Sequence, residues 1–374
     1  MFVLIKRILN IKAVRIIGIF SFFIYTLHHI FHERHQQELR VLTWSDVLPL
    51  GLLQKFEKEK NVRLVIDYFD SQEVLETKLN SGFSGYDLIT PTATSFLARY
   101  IQKDLLRPVQ VMRLKNYKNI APVFWDKMKV IDPTNSYLVP FGYGTFGILY
   151  NKTMIDRLKL ASYPTHYGYF FDPKIVCQWH KYGIGLLNEW QEVFGAALSH
   201  LGYPSYTQDK HAIYVAYKMI TAIRGQIRRF SNNRYINDLL VEELIYTQAL
   251  SDESSRAVID AKDNHVELVF VRPTQEKGLY VDCFSIPKTA RSIKLAEEFI
   301  DFCLENENAI HITKHSKIPN TVSHRFQKDL DPSWFLDVPV EQLSIPAIRP
   351  TRLNRELLTY WQHFLQKLPL APSF

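Results

Sequence analysis

The sequence contains only three cysteines, Cys177, Cys283 and Cys303, and they lie far apart along the chain. An odd and widely spaced set excludes both a disulfide framework and the closely spaced ligand pairs of a structural zinc site. At most one bridge can form. The sequence therefore favours free, buried thiols over a cross-linked fold.

Beyond its first forty residues the chain has little net charge. The formal net charge is +7, and residues 1–40 contribute +4 of it, because they contain six Lys or Arg against two Glu. The remainder is close to balanced, which excludes the broad basic surface on which nucleic-acid-binding proteins depend. The sequence thus predicts no nucleic-acid partner.

The chain also lacks the short motifs of common enzymes and cofactor sites. It contains no Ser-His-Asp order, no phosphate-binding loop and no zinc motif. The segment GYGTFG at residues 142–147 is rich in glycine, but its spacing is not that of a nucleotide-binding loop and no predicted helix follows it. The sequence therefore predicts neither a cofactor nor a resident metal.

The N-terminal segment has the pattern of an export signal. The apolar run IIGIFSFFIYTL occupies residues 16–27, and the basic residues before it are Lys6, Arg7, Lys12 and Arg15. Basic residues ahead of such a run direct the following chain across the membrane. No small-x-small cleavage site follows the run. Residues 1–38 are therefore predicted to be either a cleaved signal peptide or an N-terminal anchor, with residues 16–31 as the tether.

The length and composition suit two folded units of ordinary size. The chain has 374 residues, of which 47% are hydrophobic and 22% charged. Predicted strands cover 40–43, 63–69, 86–90, 183–187, 266–273 and 278–287, and predicted helices cover 52–60, 73–80, 95–103, 188–202, 211–224, 235–249, 293–304 and 308–314. This alternation predicts an α/β fold with a parallel sheet covered by helices. Residues 134–151, rich in β-formers and glycine, are predicted to be extended chain that connects the two units.

Aromatic and hydroxyl residues follow two of the predicted strands. Trp44, Ser45 and Asp46 come directly after the first strand, and Thr92 and Thr94 come after the strand in YDLIT. Ligands of open α/β sheets bind beyond the carboxyl ends of the strands, so both turns are predicted to face one crevice. The alternatives are that Trp44 packs in a core and that Ser45 or Asp46 caps the following helix.

Three acids have patterns that indicate function. Glu189 and Glu192 share a face at the start of a predicted helix. Their alternative role is to complement the helix dipole, with Asn188 as the cap. Asp282 lies with Tyr280 on one face of the predicted strand LYVDCFSI. A lone acid between hydrophobic neighbours is costly to bury unless it is paired, and its alternative is an edge-strand position facing water.

Six segments occur in a distinctive order along the chain. They are LTWSDVLPLGLLQKFEKE, YFDSQEVLETKLNSGFSGYDLITPT, YLVPFGYGTFGILYN, EVFGAALSHLGY, FSNNRYINDL and YVDCFSIPKTARSIKLAEEFIDFCLENENAI. They are collinear over residues 40–325, whereas residues 326–374 match more weakly. In this order they resemble the periplasmic spermidine/putrescine-binding proteins that serve polyamine ABC importers.

The resemblance implies a two-lobed periplasmic binding protein fold of type II, with the ligand cleft between the lobes. Residues 39–148 with 284–330 would form lobe 1, and residues 149–283 with 331–374 would form lobe 2. The implied function is not enzymatic. It is that of an exported, periplasmic and monomeric subunit, which binds putrescine or spermidine and delivers it to an ABC permease in the inner membrane.

The resemblance also assigns ligand binding to the residues selected above. These are Trp44, Ser45, Asp46, Thr92, Thr94, Glu189, Glu192, Tyr280 and Asp282. The chemistry suits a diamine, because each hydrogen bond from an ammonium to a carboxylate contributes about 1.5–3 kcal/mol. Aromatic faces would cover the methylene groups between the two ammonium groups.

The sequence departs from the family pattern at three cleft positions that carry aromatic residues in the family. These positions correspond here to Val47, the neighbourhood of Leu250, and Ser316, while Glu253 aligns loosely with a further acid. With fewer aromatic residues the predicted cleft would hold a polyamine less tightly. Two alternatives therefore stay open: the ligand is a different cationic amine, or the protein is a sensor or interaction module whose binding site has degraded. An acid–base enzyme is disfavoured because the sequence supplies no helper for a nucleophile.

Overall fold

The computed structural model describes residues 37–45, 47–82, 85–322 and 340–345 of the chain. Residues 1–36 of the predicted signal peptide or anchor (1–38), including the predicted tether at 16–31, lie outside the described residues, as does Asp46. Within the described ranges, no helix combines the length and the apolar character needed to cross a bilayer.

Strands and helices alternate along most of the described chain. The strands are β1 (Gln37–Trp44), β2 (Val62–Phe69), β3 (Leu88–Ile89), β4 (Leu106–Arg107), β5 (Val139–Asn151), β6 (Ile184–Leu186), β7 (Arg229–Phe230), β8 (Tyr246–Leu250), β9 (Leu268–Val271), β10 (Leu279–Phe284) and β11 (Ile286–Pro287). The α-helices are α1 (Leu50–Lys60), α2 (Gln72–Asn80), α3 (Ser95–Gln102), α4 (Pro122–Met128), α5 (Lys152–Arg157), α6 (Gly168–Phe171), α7 (Pro173–Trp179), α8 (Trp190–His200), α9 (Lys210–Ile223), α10 (Tyr235–Leu240), α11 (Ser251–Asp260), α12 (Ile293–Cys303) and α13 (Asn306–Ser316).

The first sheet is parallel, as the alternation predicts. Its strand order is β2-β1-β3, and β1 pairs in parallel with both neighbours. Helix α1 covers this sheet with Leu52, Leu53 and Phe56, which are buried. Their spacing places them on one helical face, which explains why the helix could be predicted from local sequence.

The second sheet is mixed rather than parallel. Its order is β10-β5-β8-β6-β7, with β9 also paired to β5. Strand β5 is antiparallel to β10, β8 and β9, whereas β6 is parallel to β7 and β8. The prediction of a parallel sheet is therefore wrong for this half, because β5 enters the sheet as one long extended segment of 13 buried residues.

The hydrophobic residues form separate cores that share β5 and β10. Val139, Phe141 and Tyr143 of β5 belong to the core that holds the first sheet, whereas Ile148 and Tyr150 belong to a second core with α6–α9. A third core gathers around Phe146, α10 and α11. Residues 139–151 are extended, as predicted, and their ends pack in different cores. The exact lobe boundaries stay a prediction.

Two local predictions are wrong. The predicted helix at 235–249 ends at Leu240, and Tyr246–Leu250 is strand β8. The backbone of Glu242 has φ 62°, a left-handed conformation that ends a helix, and β8 is then held between β5 and β6. The three cysteines are free, as predicted, but only Cys283 and Cys303 are buried, whereas Cys177 is exposed.

Candidate functional site

Trp44 ends β1 and packs against the neighbouring strand. Its ring centroid is 4.2 Å from that of Phe69, and its backbone N–H donates to Thr90 Oγ1 at 3.4 Å. Its indole Nε1 is buried and has no hydrogen-bond partner among the described residues. The packing alternative is thus partly correct, but the indole N–H contributes no hydrogen bond to the described fold.

The turn after Trp44 does not cap the next helix through Ser45. The N-cap of α1 is Pro49, with no side-chain hydrogen bond, and Ser45 is exposed. The capping alternative is therefore wrong for Ser45, while Asp46 lies outside the described residues. Val47, which replaces an aromatic of the family pattern, is 3% exposed and belongs to the first core.

The turn after β3 meets Asp282 directly. Thr92 Oγ1 donates to Asp282 Oδ1 at 2.6 Å, and the two residues also form a backbone bridge. Asp282 is 5% exposed, so the alternative of an edge-strand acid facing water is wrong. Thr94 Oγ1 accepts the backbone N–H of Phe96 and caps α3, and its contact with a ligand stays a prediction.

The position of Asp282 depends on an irregularity in the strand. The register of β10 against β5 shifts between Asp282 and Cys283, which is the mark of a β-bulge. Bulges redirect side chains and are common beside functional sites. Burial raises the pKa of Asp282 to about 7, with a further increase from Asp252 and an opposing hydrogen bond from Thr92.

Tyr280, two residues before Asp282, contacts the first turn of α11. Its hydroxyl donates to Asp252 Oδ1 and lies 3.5 Å from Ser251 Oγ. The neighbouring Glu253 accepts a hydrogen bond from Tyr235, and burial raises the pKa of Glu253 to about 7. We call Thr92, Asp252, Glu253, Tyr280 and Asp282 the Asp282 group.

Asp252 is a residue that the sequence reasoning missed. Acids in the first turn of a helix are a recognisable signal, and α11 begins at Ser251 with Asp252 and Glu253 in its first turn. The predicted helix over residues 235–249 runs up to this point, so the sequence pattern does not indicate that a new helix begins at residue 251.

Glu189 and Glu192 lie together at the start of α8. Glu189 itself is the N-cap residue, so the prediction that Asn188 caps this helix is wrong. Asn232 Nδ2 donates to Glu189 Oε1 at 2.9 Å, and Tyr206 Oη donates to Glu192 Oε2 at 3.4 Å. The dipole alternative does not account for these side-chain partners.

Both carboxyl groups have a pKa above the ordinary value for glutamate. Burial raises the pKa of Glu189 to about 7, and Glu73 on α2 adds to the increase. Burial also raises the pKa of Glu192 well above its usual value, with contributions from Glu189 and Glu276. Because Glu73 and Glu189 belong to elements of different cores, their repulsion acts between the two halves of the fold.

A third acid, Glu276, contributes to the pKa of Glu192, and no local sequence pattern marks it as functional. It lies in the polar loop PTQEKG before β10, yet it is 3% exposed. Tyr167 donates to Glu276 Oε2, and the backbone N–H of Gly278 donates to Oε1. Burial raises the pKa of Glu276 to about 7. We call Tyr167, Glu189, Glu192, Tyr206 and Glu276 the Glu192 group.

Phe146 packs on Tyr280 of the Asp282 group. The rings of Phe146 and Tyr280 have centroids 5.5 Å apart. A Cβ atom at Gly278 would lie 3.1 Å from Phe146 Cδ2 and 2.8 Å from Glu276 Oε1, so Phe146 reaches the Glu192 group as well. Phe146 is thus a neighbour of both acidic groups, and both rings of the pair are about 4% exposed.

Three of these acids lack a basic partner. Within the described part of the chain, no Lys or Arg contributes to the pKa of Glu189, Glu192 or Asp282. By contrast, Arg256 acts on Glu253 and Arg272 acts on Glu276. Asp282 is buried, and Glu189 and Glu192 are half-buried. Carboxylates withdrawn from water without a cation are costly, and a cationic ligand would relieve that cost.

We expect the unliganded protein to lose stability as the pH rises from about 5 to about 8. The folded pKa of Glu189, Glu253, Glu276 and Asp282 is about 7, above their ordinary values of 4.5 for Glu and 3.8 for Asp. Their stabilising contribution is therefore fully present below the ordinary pKa and is lost as the pH passes about 7. Thermal unfolding of amine-free protein across this range checks the trend, and a Tm that rises steadily with pH would contradict it.

The chain is similar in sequence to known solute-binding proteins. Residues 51–324 match a family described as bacterial extracellular solute-binding protein. The putrescine-binding periplasmic protein SpuD of Pseudomonas aeruginosa is 31% identical over 288 residues, which cover 75% of this chain and 77% of that protein. The putrescine-binding periplasmic protein PotF of Escherichia coli is 29% identical over 284 residues, covering 75% and 76%.

Solved structures share the fold. The spermidine/putrescine ABC transporter substrate-binding protein PotD from Streptococcus pneumoniae superposes with a TM-score of 0.73 at 23% identity, covering 88% of this chain and 99% of that one. The Tp0655 (TpPotD) lipoprotein of Treponema pallidum gives a TM-score of 0.75 at 24% identity, with 88% and 99% covered. The predicted α/β fold of the type II periplasmic binding proteins is confirmed.

Proposed function

Because the chain belongs to the bacterial extracellular solute-binding protein family, we propose that it is the polyamine-binding subunit of an ABC importer. Its ligand is putrescine or spermidine, held in a cleft between two lobes. Its relatives support this ligand class, since SpuD and PotF are both putrescine-binding periplasmic proteins. The family is one of transport rather than catalysis, and the proposed role involves no reaction.

The observation that carries the proposal is the set of acids without cations. Glu189 and Glu192 at one end, and Asp282 at the other, have no basic partner in the described chain. A diamine brings one ammonium to each end, where charge-assisted hydrogen bonds replace those lost from water. Fixed acids at both ends would also select the distance between the two ammonium groups.

The aromatic residues suit the hydrocarbon part of such a ligand. Phe146 contacts Tyr280 of the Asp282 group and lies near Glu276 of the Glu192 group, and Trp44 ends β1 with an indole N–H that has no hydrogen-bond partner in the described part of the chain. An ammonium close to an aromatic face gains about 0.5–2 kcal/mol, depending on its desolvation. We therefore assign ligand contacts to Trp44, Tyr280 and the acids, with Thr92 orienting Asp282.

The cleft, the location of the protein and its partner follow from the same proposed role. We place lobe 1 at residues 39–148 with 284–330 and lobe 2 at 149–283 with 331–374, with β5 and β10 as the connections. The protein acts in the periplasm, tethered to the inner membrane by residues 16–31, and delivers its ligand as a monomer to the permease. Tethering would raise its effective concentration near that permease.

A ligand panel tests the proposed function. Purified residues 37–374 are titrated with putrescine, cadaverine, spermidine, spermine and agmatine, and thermal shift and calorimetry are recorded. At a ligand concentration about 100 times Kd we expect a stabilisation of about 2.7 kcal/mol for at least one of them. Butylamine is the matched control, since its single ammonium reaches only one acidic group and should bind far more weakly. No shift and no heat with any amine would refute the proposal and favour a degraded site.

A further inference from the structure

Helix α11 carries one basic residue, Arg256, on the same face as two acids of the Asp282 group. Asp252 and Glu253 come four and three residues before Arg256. Side chains at these spacings are neighbours on a helix surface, with Cβ atoms about 5–6 Å apart. Tyr280 donates to Asp252 and Tyr235 donates to Glu253, so a tyrosine hydroxyl orients each acid. A protein cation is therefore built into this end of the candidate site.

The guanidinium of Arg256 is anchored at the end of a second helix. Its Nη2 donates to the backbone oxygen of Ser316, the last residue of α13, at 3.1 Å. The last carbonyl groups of a helix lack helical partners and carry the negative end of its dipole, so a cation is stabilised there. Ile312 of α13 packs in the first core, whereas Ala257 of α11 packs in the third. The hydrogen bond thus fixes the guanidinium where elements of different cores meet.

The acids of the Asp282 group differ in whether the protein supplies a cation. Burial raises the pKa of Asp252 and of Glu253, and the positive charge of Arg256 opposes both increases. Burial also raises the pKa of Asp282, but no Lys or Arg of the described chain opposes that increase. Asp282 is therefore the acid of this group that a cation from outside the protein would stabilise most.

A third ammonium group would find no acid of this kind. In the described chain, acids that no Lys or Arg influences occur at two places in the candidate site, Glu189 with Glu192 and Asp282. Putrescine has one ammonium for each place. Spermidine has a third, and the two acids of α11 that could accept its hydrogen bonds already face Arg256, which would repel it. An unfavourable contact with a competing ligand is a common source of specificity.

We infer that Arg256 is a specificity-determining residue, whose guanidinium takes the place that a third ammonium would need, so that the protein binds diamines in preference to triamines. The inference rests on the proposed function and narrows its ligand class. Arginine remains protonated throughout the physiological pH range, so the guanidinium is a permanent cation of this end of the site.

Calorimetry with putrescine and spermidine tests the role of the charge. The ratio of the Kd for spermidine to the Kd for putrescine is expected to be about ten or more in the wild type. Arg256→Gln removes the positive charge, so this ratio should fall by about tenfold. Arg256→Lys keeps the charge without the planar fork of donors, so its ratio should stay within about twofold of the wild-type ratio.

Arg228→Gln is the matched control for Arg256→Gln. Arg228 also donates to backbone oxygens, those of Glu243 at 2.7 Å and Lys181 at 2.9 Å, but it does not influence the acids of the Asp282 group. Its substitution should leave the ratio of the two Kd values unchanged. A merely structural role for Arg256 would weaken both ligands equally and would likewise leave the ratio unchanged in Arg256→Gln.

A comparison of two ligands tests the same inference in the wild type, without any substitution. N-Propylputrescine has the chain length of spermidine, with a methyl group in place of the third ammonium. We expect it to bind about tenfold more tightly than spermidine, because Arg256 repels a charge and not a methyl group. Equal affinity for the two ligands would mean that length, and not the guanidinium, excludes the triamine.

The outcomes separate this inference from the proposed function. If the wild type binds neither putrescine nor spermidine, the proposed function fails and the inference falls with it. If the wild type binds spermidine as tightly as putrescine, or if Arg256→Gln keeps the wild-type ratio, the protein is still an amine-binding protein and only the role of Arg256 is refuted.

Discussion

Asp282→Asn is expected to weaken amine binding by about 30-fold or more while leaving the unliganded protein at least as stable as the wild type. Asparagine keeps the shape of the side chain and an oxygen to accept the hydrogen bond of Thr92, which is 2.6 Å long in the wild type. It removes a charge that is buried without a basic partner in the described chain. The variant therefore lacks the carboxylate that attracts the ligand. It also lacks the buried, unpaired charge that destabilises the unliganded protein.

The expected loss of affinity is large. Removing one member of a buried, hydrogen-bonded charge pair costs about 2–5 kcal/mol of binding free energy, which is about 30-fold or more in Kd. Calorimetry at about pH 8 measures it, since the pKa of Asp282 is about 7 and the wild-type carboxyl is then mainly ionised. Glu192→Gln should show a comparable loss. If both variants keep the full ligand-induced shift in Tm, the assignment of the site is wrong.

Asp132→Asn is the matched control for Asp282→Asn. Asp132 is equally buried, at 1% exposure, but it lies outside the two acidic groups. Its Oδ2 accepts the backbone N–H groups of Tyr137 and Leu138, and its Oδ1 accepts the hydroxyl of Thr134. Asparagine cannot accept all of these bonds, so this variant should lose about 1–3 kcal/mol of stability and retain its affinity for the amine. The two variants should thus behave in opposite ways.

Gly144→Ala is expected to impair both stability and binding. Gly144 lies opposite Tyr280 in the β5–β10 ladder, and a Cβ atom there would lie 2.1 Å from Tyr280 Oη and 2.7 Å from Ser251 Oγ. The Tyr280 ring packs on Phe146 and would have to move, which breaks its hydrogen bond to Asp252. Overpacking of this kind costs about 1–3 kcal/mol of stability. We expect the displaced ring and acid to lower amine affinity by about tenfold or more.

Gly225→Ala and Tyr280→Phe complete this experiment, with chemical denaturation and calorimetry as the measurements. Among the described residues, apart from Gly225 itself, its chain neighbours and the local helix backbone, no atom lies within 4 Å of the Cβ position of Gly225. Its substitution should therefore change the free energy of unfolding by at most about 0.5 kcal/mol. Tyr280→Phe removes only the hydroxyl and separates loss of the Asp252 hydrogen bond from movement of the ring. Wild-type stability and affinity in Gly144→Ala would show that Tyr280 does not need this space.

The parts of the fold that could be predicted are those with a strong local pattern. Helix α1 follows from the spacing of Leu52, Leu53 and Phe56, and α2 has a serine cap at Ser71. Strand β8 could not be predicted in the same way. Its residues are compatible with a helix, and what makes them a strand is pairing with β5 on one side and β6 on the other.

The candidate site likewise contains residues that the local sequence could predict and residues that it could not. Glu189, Glu192 and Asp282 stand out in the sequence because each is an acid in a distinctive local setting, and the resemblance to polyamine-binding proteins assigns them a common role. Glu276 could not be found in this way, since a glutamate in a polar loop is ordinarily exposed. Its burial results from Tyr167, which lies 109 positions earlier in the chain.

The order of segments along the chain was enough to indicate the family, the class of fold and most of the acidic residues that a cationic ligand would need. Only the tertiary structure decided which acids become buried and which tyrosines donate hydrogen bonds to them. It also decided which of the acids have no cationic partner in the described part of the chain. The physical reason is the sequence separation over which each effect acts. Propensity and periodicity depend on residues a few positions apart, whereas the hydrogen bond between Thr92 and Asp282 joins residues 190 positions apart. Only packing of the whole chain brings such residues together and removes the water between them.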